Sequence, residues 1–356
     1  MTALALALIL LAAPASNDGS EIDVLVLTRL HPRELRFEGP RTLGLAARGD
    51  TLAIDGKPVP QPLLLEAGDW RVAPHGPATR RYRASFDIRA RNGELRVVAT
   101  LQLEEYVAGV VASETLPGTP PAALQAQAVV TRSYALAQPR RHPEARACDL
   151  AHCQVLGADV RGRHLEAARE ATEATRGQVL VLDSGEIALS PFHAACGGHT
   201  AEPTEIFPGP DRSGAAAVDD GGCAAPWSAR VPLPTLMRAA SSAVGGTPAD
   251  PRALRTQAGA GGFVARVVDR SSDRGATGEA FIRALGAEVG YGKVPSPRFQ
   301  LLIEGDFALL RGAGKGHGVG LCQSGAARLA GQGLDYTAIL ERFFPRARLV
   351  RRISSE

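Results

Sequence analysis

A chain of 356 residues is long enough to bury a full core and to form one large domain or two. Its 40 Lys and Arg against 37 Asp and Glu leave a formal charge of +3, with both signs interspersed, which excludes the strong basic footprint of a nucleic-acid binder. Aromatic residues make up 5% of the chain, too few for a base-stacking platform, although a few rings suffice to line a sugar groove.

The opening MTALALALILLAAPASNDGS carries an apolar run from Ala3 to Leu11 and an Ala13-Pro14-Ala15 cleavage pattern. The run is too short to span a bilayer, and no Lys or Arg precedes it. The reading is a signal peptide over residues 1–15 and an exported chain beginning near Ser16, in the periplasm or cell wall, with no stable membrane span. A buried N-terminal helix is the alternative. No Cys follows the leader, so a lipid anchor is not expected.

Residues 16–100 read as a β-rich N-terminal part. The segments IDVLVLTRL, TLAIDGKPV, RYRASFDIRAR and GELRVVATL are β-branched or alternating, with Asp-Gly and Asn-Gly turn signals between them. Residues 101–356 mix helices and strands. The period turns helical at Leu103, and a second helix is expected after a Thr119 N-cap, ending at Pro139. HLEAAREATEATRG reads as a helix closed by Gly177, followed by a strand with an internal Asp-Ser-Gly-Glu turn. Farther on, AGAGGFVARVVDRS reads as a glycine turn into a strand, and FALLRGAGKGHGVGLCQSGAARLAGQG as strand, glycine loop and helix. Without strict β-α-β alternation, the fold class is α+β.

Within this frame EEYVAGVVASETLPGTPP poses a chemical question. On a helix from Leu103 to Thr115, Val107, Val110, Val111 and Glu114 share the stripe that faces a core. A carboxylate there is either a paired structural ion, with Arg132 as the obvious partner, or a group kept in poor solvent so that it holds a proton near neutral pH.

The five cysteines allow two disulfides with one left over, or one disulfide and a metal site. His142, Cys148, His152 and Cys153 follow H-x5-C-x3-H-C, a donor set sufficient for a closed tetrahedral structural zinc. A Cys148–Cys153 disulfide competes with it, and a surface His beside an incidental thiol is the remaining reading. In FHAACGGHTAEPTE, His193 and Cys196 precede a glycine turn, and a Cys196–Cys223 disulfide is expected to brace the loop carrying DDGGCAAPW. GAGKGHGVGLCQSGA has no Gly-Lys-Ser/Thr ending, so it is not a phosphate-binding loop. Its His317 and Gln323 are either cleft groups or packed residues.

Four segments in this order resemble the SpoIID/LytB family of bacterial cell-wall proteins: LEEYVAGVVASETLPGTPPAALQAQAVVTRSYAL, CDLAHCQVLG, PFHAACGGHTAEPTEIFPG and GKGHGVGLCQSGAARLAGQGLDYTAILERFFPRARL. The resemblance implies a SpoIID-like catalytic domain over residues 101–356 that acts on peptidoglycan glycan strands. It implies either a lytic transglycosylase for strands stripped of stem peptides or a non-catalytic enhancer of a partner cell-wall amidase. Glu114 occupies the position of the family's catalytic glutamate. Arg132 also holds a motif position, suited to a glycan acetamide or muramic carboxylate, or else to a structural ion pair. His193, His317 and Gln323 would bind substrate. Some members hold zinc with a set similar to His142, Cys148, His152 and Cys153, and catalysis itself would need no cofactor. Cys322 and Ser324 stand where the family commonly has Ser and Tyr, which removes one ring for sugar stacking. An ordinary glycosidase would need a second carboxylate, from Glu105, Asp149, Glu202 or Glu205.

Overall fold

The computed structural model describes residues 20–74, 79–157, 162–248, 250–272 and 274–352. The signal peptide expected over residues 1–15 lies outside the described residues. Among the described residues, no helix is long and apolar enough to cross a membrane.

The first part of the chain folds into strands β1 (Glu21–Val26), β2 (Glu34–Glu38), β3 (Thr42–Arg48), β4 (Thr51–Ile54), β5 (Lys57–Pro58), β6 (Leu63–Pro74), β7 (Arg80–Arg91) and β8 (Glu94–Gln102). Alternation along β7 shows why: Tyr82, Ala84, Phe86, Ile88 and Ala90 are buried between arginines and other polar residues. Asn92 and Gly93 both take positive φ, 52° and 78°, as a two-residue hairpin turn between β7 and β8 requires. Phe37, Trp70 and Phe86 meet edge to face inside the sheet.

This sheet does not end with the β-rich segment. Its ninth strand, β9 (Ala147–Cys148), comes from beyond residue 101 and pairs parallel to β1, giving the order β5-β4-β3-β2-β6-β7-β8-β1-β9. Its core runs on into α1 (Leu103–Glu114), α2 (Pro121–Ala137) and α3 (Arg163–Ala174). Val107, Val110 and Val111 are fully buried, as the stripe on α1 requires. Thr119 does not cap α2: its hydroxyl donates to the Leu116 carbonyl, and Pro120 occupies the cap position instead. Pro121 at the first helical position has no N–H, so one of the groups that a cap would satisfy is already missing.

A second core lies on the other face of α2. It is built from β10 (Gln178–Leu182), β11 (Phe192–His193), the short α4 (Pro203–Ile206) and the C-terminal elements. Between them is inserted a lobe of β12 (Pro226–Pro232), α5 (Leu233–Val244), β13 (Leu254–Ala258), β14 (Val264–Asp269), β15 (Arg274–Thr277), α6 (Gly278–Val289), β16 (Phe299–Glu304) and β17 (Phe307–Ala313). The lobe has its own cluster of Leu236, Phe281, Leu285 and Leu310. The chain then returns through a glycine loop to β18 (Leu321–Cys322), α7 (Gln323–Gly331), α8 (Tyr336–Phe343) and β19 (Ala347–Arg351). β18 pairs parallel to β11, and β19 pairs antiparallel to β10. The molecule is therefore a mixed α+β fold with a strand-rich N-terminal part.

Candidate functional site

α1 stops at Glu114 because Leu116-Pro117-Gly118 cannot continue it. Pro117 disfavours helical geometry before it, and Gly118 turns back at φ 86°. The break leaves the Glu114 side chain at the wall of a cleft of about 710 Å³. Its Oε1 accepts a hydrogen bond from the Val155 N–H at 2.8 Å, and it forms no ion pair among the described residues. Burial pushes this carboxyl above its ordinary range, and the Val155 N–H works in the opposite direction. The C-terminal end of a helix also disfavours an anion.

Arg132 is not the partner of Glu114. It is 1% exposed, and its fork meets Glu104 at the other end of α1, with Nε to Oε1 at 2.9 Å and a terminal nitrogen to Oε2 at 2.5 Å. Its remaining donors reach the carbonyls of Gln178 and Thr172. With every nitrogen used and no face on the cleft, Arg132 is a structural residue. The substrate-binding role expected from its motif position is corrected: its donors join α1, α3 and β10.

Glu114, His193, His317 and Gln323 line the same cleft, and His152 and Cys153 of the His/Cys set reach it as well. Gln323 opens α7, and its Nε2 donates to the Glu114 carbonyl at 3.0 Å and to Gln127 Oε1 at 3.3 Å. That contact holds the end of α1 in place across 209 residues of sequence. Val319 sets both histidine tautomers. Its carbonyl accepts from His193 Nδ1 and its N–H donates to His317 Nδ1, each at 3.1 Å. His193 in its neutral form therefore presents a lone pair at Nε2, which is buried with no partner among the described residues, and His317 carries its proton on Nε2. Burial drives the His193 pKa down to about 4; burial and then the neighbouring His193 drive His317 down to about 3. Both imidazoles are neutral at pH 7.

Tyr134, Phe207, Arg141 and Arg283 are among the cleft residues not singled out in the sequence. Phe207 is 39% exposed and its ring centre lies 5.1 Å from that of His317. The available signal was an aromatic beside Pro-Gly in a chain with few rings. Arg283 comes from α6 of the inserted lobe, whose approach to the cleft no local pattern announces. The four carboxylates considered as second catalytic groups do not line the cleft. Glu105 pairs with Arg169, Asp149 caps Leu27 and Thr28 and meets Arg80, Glu202 pairs with Arg346, and Glu205 accepts from Ala260 N. Asp211 does line it, but its oxygens are occupied by Ser213 and Arg346.

Beside the cleft, the donor atoms of His142, Cys148, His152 and Cys153 all lie within 4.8 Å of one another. Cys148 Sγ is 3.2 Å from His152 Nε2, and Cys153 Sγ is 3.5 Å from His142 Nε2. Tetrahedral zinc with ordinary Zn–S and Zn–N bonds separates its ligands by roughly 3.3–3.8 Å, so the donor set fits the ion. Neither expected disulfide is formed, since all five cysteines are free thiols. Cys148 and Cys153 each face an imidazole. Cys196 instead donates to Asp220 Oδ2 at 3.1 Å, and Cys223 lies 3.6 Å from Cys322, a thiol that the sequence reading left unpaired.

Residues 91–182 match the SpoIID family, described as a stage II sporulation protein. The match contains α1, α2, the His/Cys cluster and α3, and so includes Glu114. Over 275 residues the chain is 28% identical to an uncharacterized protein of Brachyspira hyodysenteriae, covering 74% of this chain and 70% of that one.

Proposed function

We propose, from the premise that this chain belongs to the SpoIID family, that its cleft cleaves peptidoglycan glycan strands as a lytic transglycosylase, with Glu114 as the proton-transfer group. The family is linked to peptidoglycan processing. The observation that carries the reading is a carboxyl group at the wall of a cleft, raised in pKa by burial and in no ion pair among the described residues.

In this reaction Glu114 first donates its proton to the glycosidic oxygen as the bond from that oxygen to the muramic C1 breaks. The resulting carboxylate then takes the proton of the C6 hydroxyl of the same sugar while that oxygen bonds to C1. The ring closes as a 1,6-anhydro end, and Glu114 is again protonated. Water is not consumed, so no second carboxylate has to activate it or attack C1. This agrees with a cleft whose other carboxylate, Asp211, is committed elsewhere. Gln323 keeps the end of α1 fixed during both transfers. Phe207 and His317 offer an apolar wall for a sugar face.

His142, Cys148, His152 and Cys153 would hold a structural zinc that ties the loop after α2 to the cleft. Four protein ligands leave no open coordination position for substrate. The substrate lies outside the cell membrane, so the leader over residues 1–15 would deliver the chain to the periplasm or cell wall.

The test is purified chain incubated with glycan strands, with and without stem peptides, followed by mass spectrometry. 1,6-Anhydromuramic ends that disappear with Glu114→Gln support the proposal. If no such ends form but a partner amidase is accelerated, the chain is a non-catalytic enhancer. Incorporation of labelled water oxygen at the new ends would identify a hydrolase instead.

A further inference from the structure

A second group of ligand atoms lies apart from the His/Cys cluster and plays no part in the proposed proton transfers. Cys196, Asp220, Cys223 and Cys322 bring their donor atoms within 4.8 Å of one another, all four of them buried. They come from separate stretches: the turn after β11, the loop of residues 219–225, and β18. We propose that they form a second structural metal site, a closed tetrahedral Cys3Asp centre for zinc.

The separations suit the ion. Cys196 Sγ to Asp220 Oδ2 is 3.1 Å and Cys223 Sγ to Cys322 Sγ is 3.6 Å, close to the edges of a tetrahedron built on ordinary Zn–O and Zn–S bonds. A set of three thiolates selects a thiophilic tetrahedral ion over magnesium or calcium. The surroundings are those of a thiolate cluster. The Cys196 N–H and the Gly325 N–H donate to Cys322 Sγ at 3.3 and 3.2 Å, and the Gly198 N–H donates to Cys196 Sγ at 3.4 Å. Three thiolates and a carboxylate exceed the charge of a dication, and these N–H dipoles offset the surplus. So does Arg328, which donates to Asp220 Oδ1 at 2.8 Å and to its carbonyl at 2.6 Å, orienting the carboxylate from behind. Gly325 is required at this point, because a Cβ there would run into the Asp220 carboxylate.

A disulfide between two of the thiols would leave the third buried beside an acid, and nothing in the pocket calls for that arrangement. A metal uses all four groups, the thiol protons leaving to solvent on binding. It would also act on the cleft. Cys322 is the register partner of His193 in the β11–β18 ladder and directly precedes Gln323, so the centre would clamp the strands that present both residues.

The experiment measures zinc in the full chain. With His142→Ala and His152→Ala removing the first cluster, one zinc per chain is expected to remain, and it should be lost when Cys223→Ser and Cys322→Ser are added. A zinc content that the cysteine substitutions leave unchanged overturns the proposal. Should the combined variant fail to fold, the unmodified chain decides by alkylation and peptide mapping. Cys196, Cys223 and Cys322 should resist alkylation until a chelator is added, then all react without reductant. A Cys196–Cys223 cross-linked peptide, or three thiols that react before chelation, overturns the proposal equally.

Discussion

Helix α1 carries a glutamate near each end, and the two have opposite environments. Glu104 sits in the first turn, where the helix dipole favours a carboxylate, and the buried fork of Arg132 grips both its oxygens. Glu114 sits at the last helical position, where the dipole disfavours the anion, and a single backbone N–H is its hydrogen-bond donor among the described residues. One is tied into the scaffold by an arginine. The other is held more readily protonated at a cleft. The same residue type thus becomes a strut or a carboxyl that keeps its proton more readily, according to which helix end it occupies and whether an arginine reaches it.

The sharpest way to break this contrast is to remove each carboxyl in turn. Glu114→Gln should lower glycan cleavage by about 10²–10⁴-fold, the usual worth of a positioned acid or base, while circular dichroism shows the fold intact. Glu104→Gln should act on stability instead; if it abolishes cleavage as fully at the same folded fraction, the division of roles is wrong. Arg132→Met should cost about 3–5 kcal/mol, because it leaves the part-buried Glu104 without its partner and two buried carbonyls without a donor. Denaturant unfolding measures that loss.

Gln323→Ala tests how the end of α1 is held. Losing the hydrogen bond to the Glu114 carbonyl should cost about 0.5–1.5 kcal/mol, and kcat should fall more than KM rises. An unchanged kcat would show that Gln323 does not position the acid.

The smallest effect is on stability against pH. The folded-state pKa of Glu114 is raised, so between its unfolded and folded values the native state binds more protons and stability declines as pH rises. Glu114→Gln removes this term. The variant should melt higher than the parent at neutral pH, and the gap should close in acid, where the parent carboxyl is protonated in both states. Calorimetry across pH decides; a gap that persists in acid would point to repacking. Cleavage should likewise fall as pH rises through this pKa. Among the ionisable groups that line the cleft with Glu114, His193 and His317 stay neutral over that range.

Much of the local structure was legible in the sequence because it rests on short-range rules. The valine stripe of α1, its arrest at Leu-Pro-Gly, the Asn-Gly hairpin and the strand-loop-helix around His317 all follow from neighbours within a few residues. The Thr119 cap missed by one position because Pro120 and Pro121 already shape that helix start. The spacing of His142, Cys148, His152 and Cys153 brought four donors into view because they lie on one short loop.

Long-range pairing is a different matter. Arg132 could have met Glu104 or Glu114, and only the crossing of α1, α2 and α3 decided in favour of the former. Cys322 joined Cys196 and Cys223 because β18 lies beside β11, a contact between residues 126 apart. Arg283 reached the cleft from a lobe folded around its own core. The sequence by itself determined which residues could be an acid, a ligand or a turn, since those properties belong to side chains and near neighbours. Tertiary structure decided which charges are paired and which thiols are neighbours, because both depend on how distant segments come together.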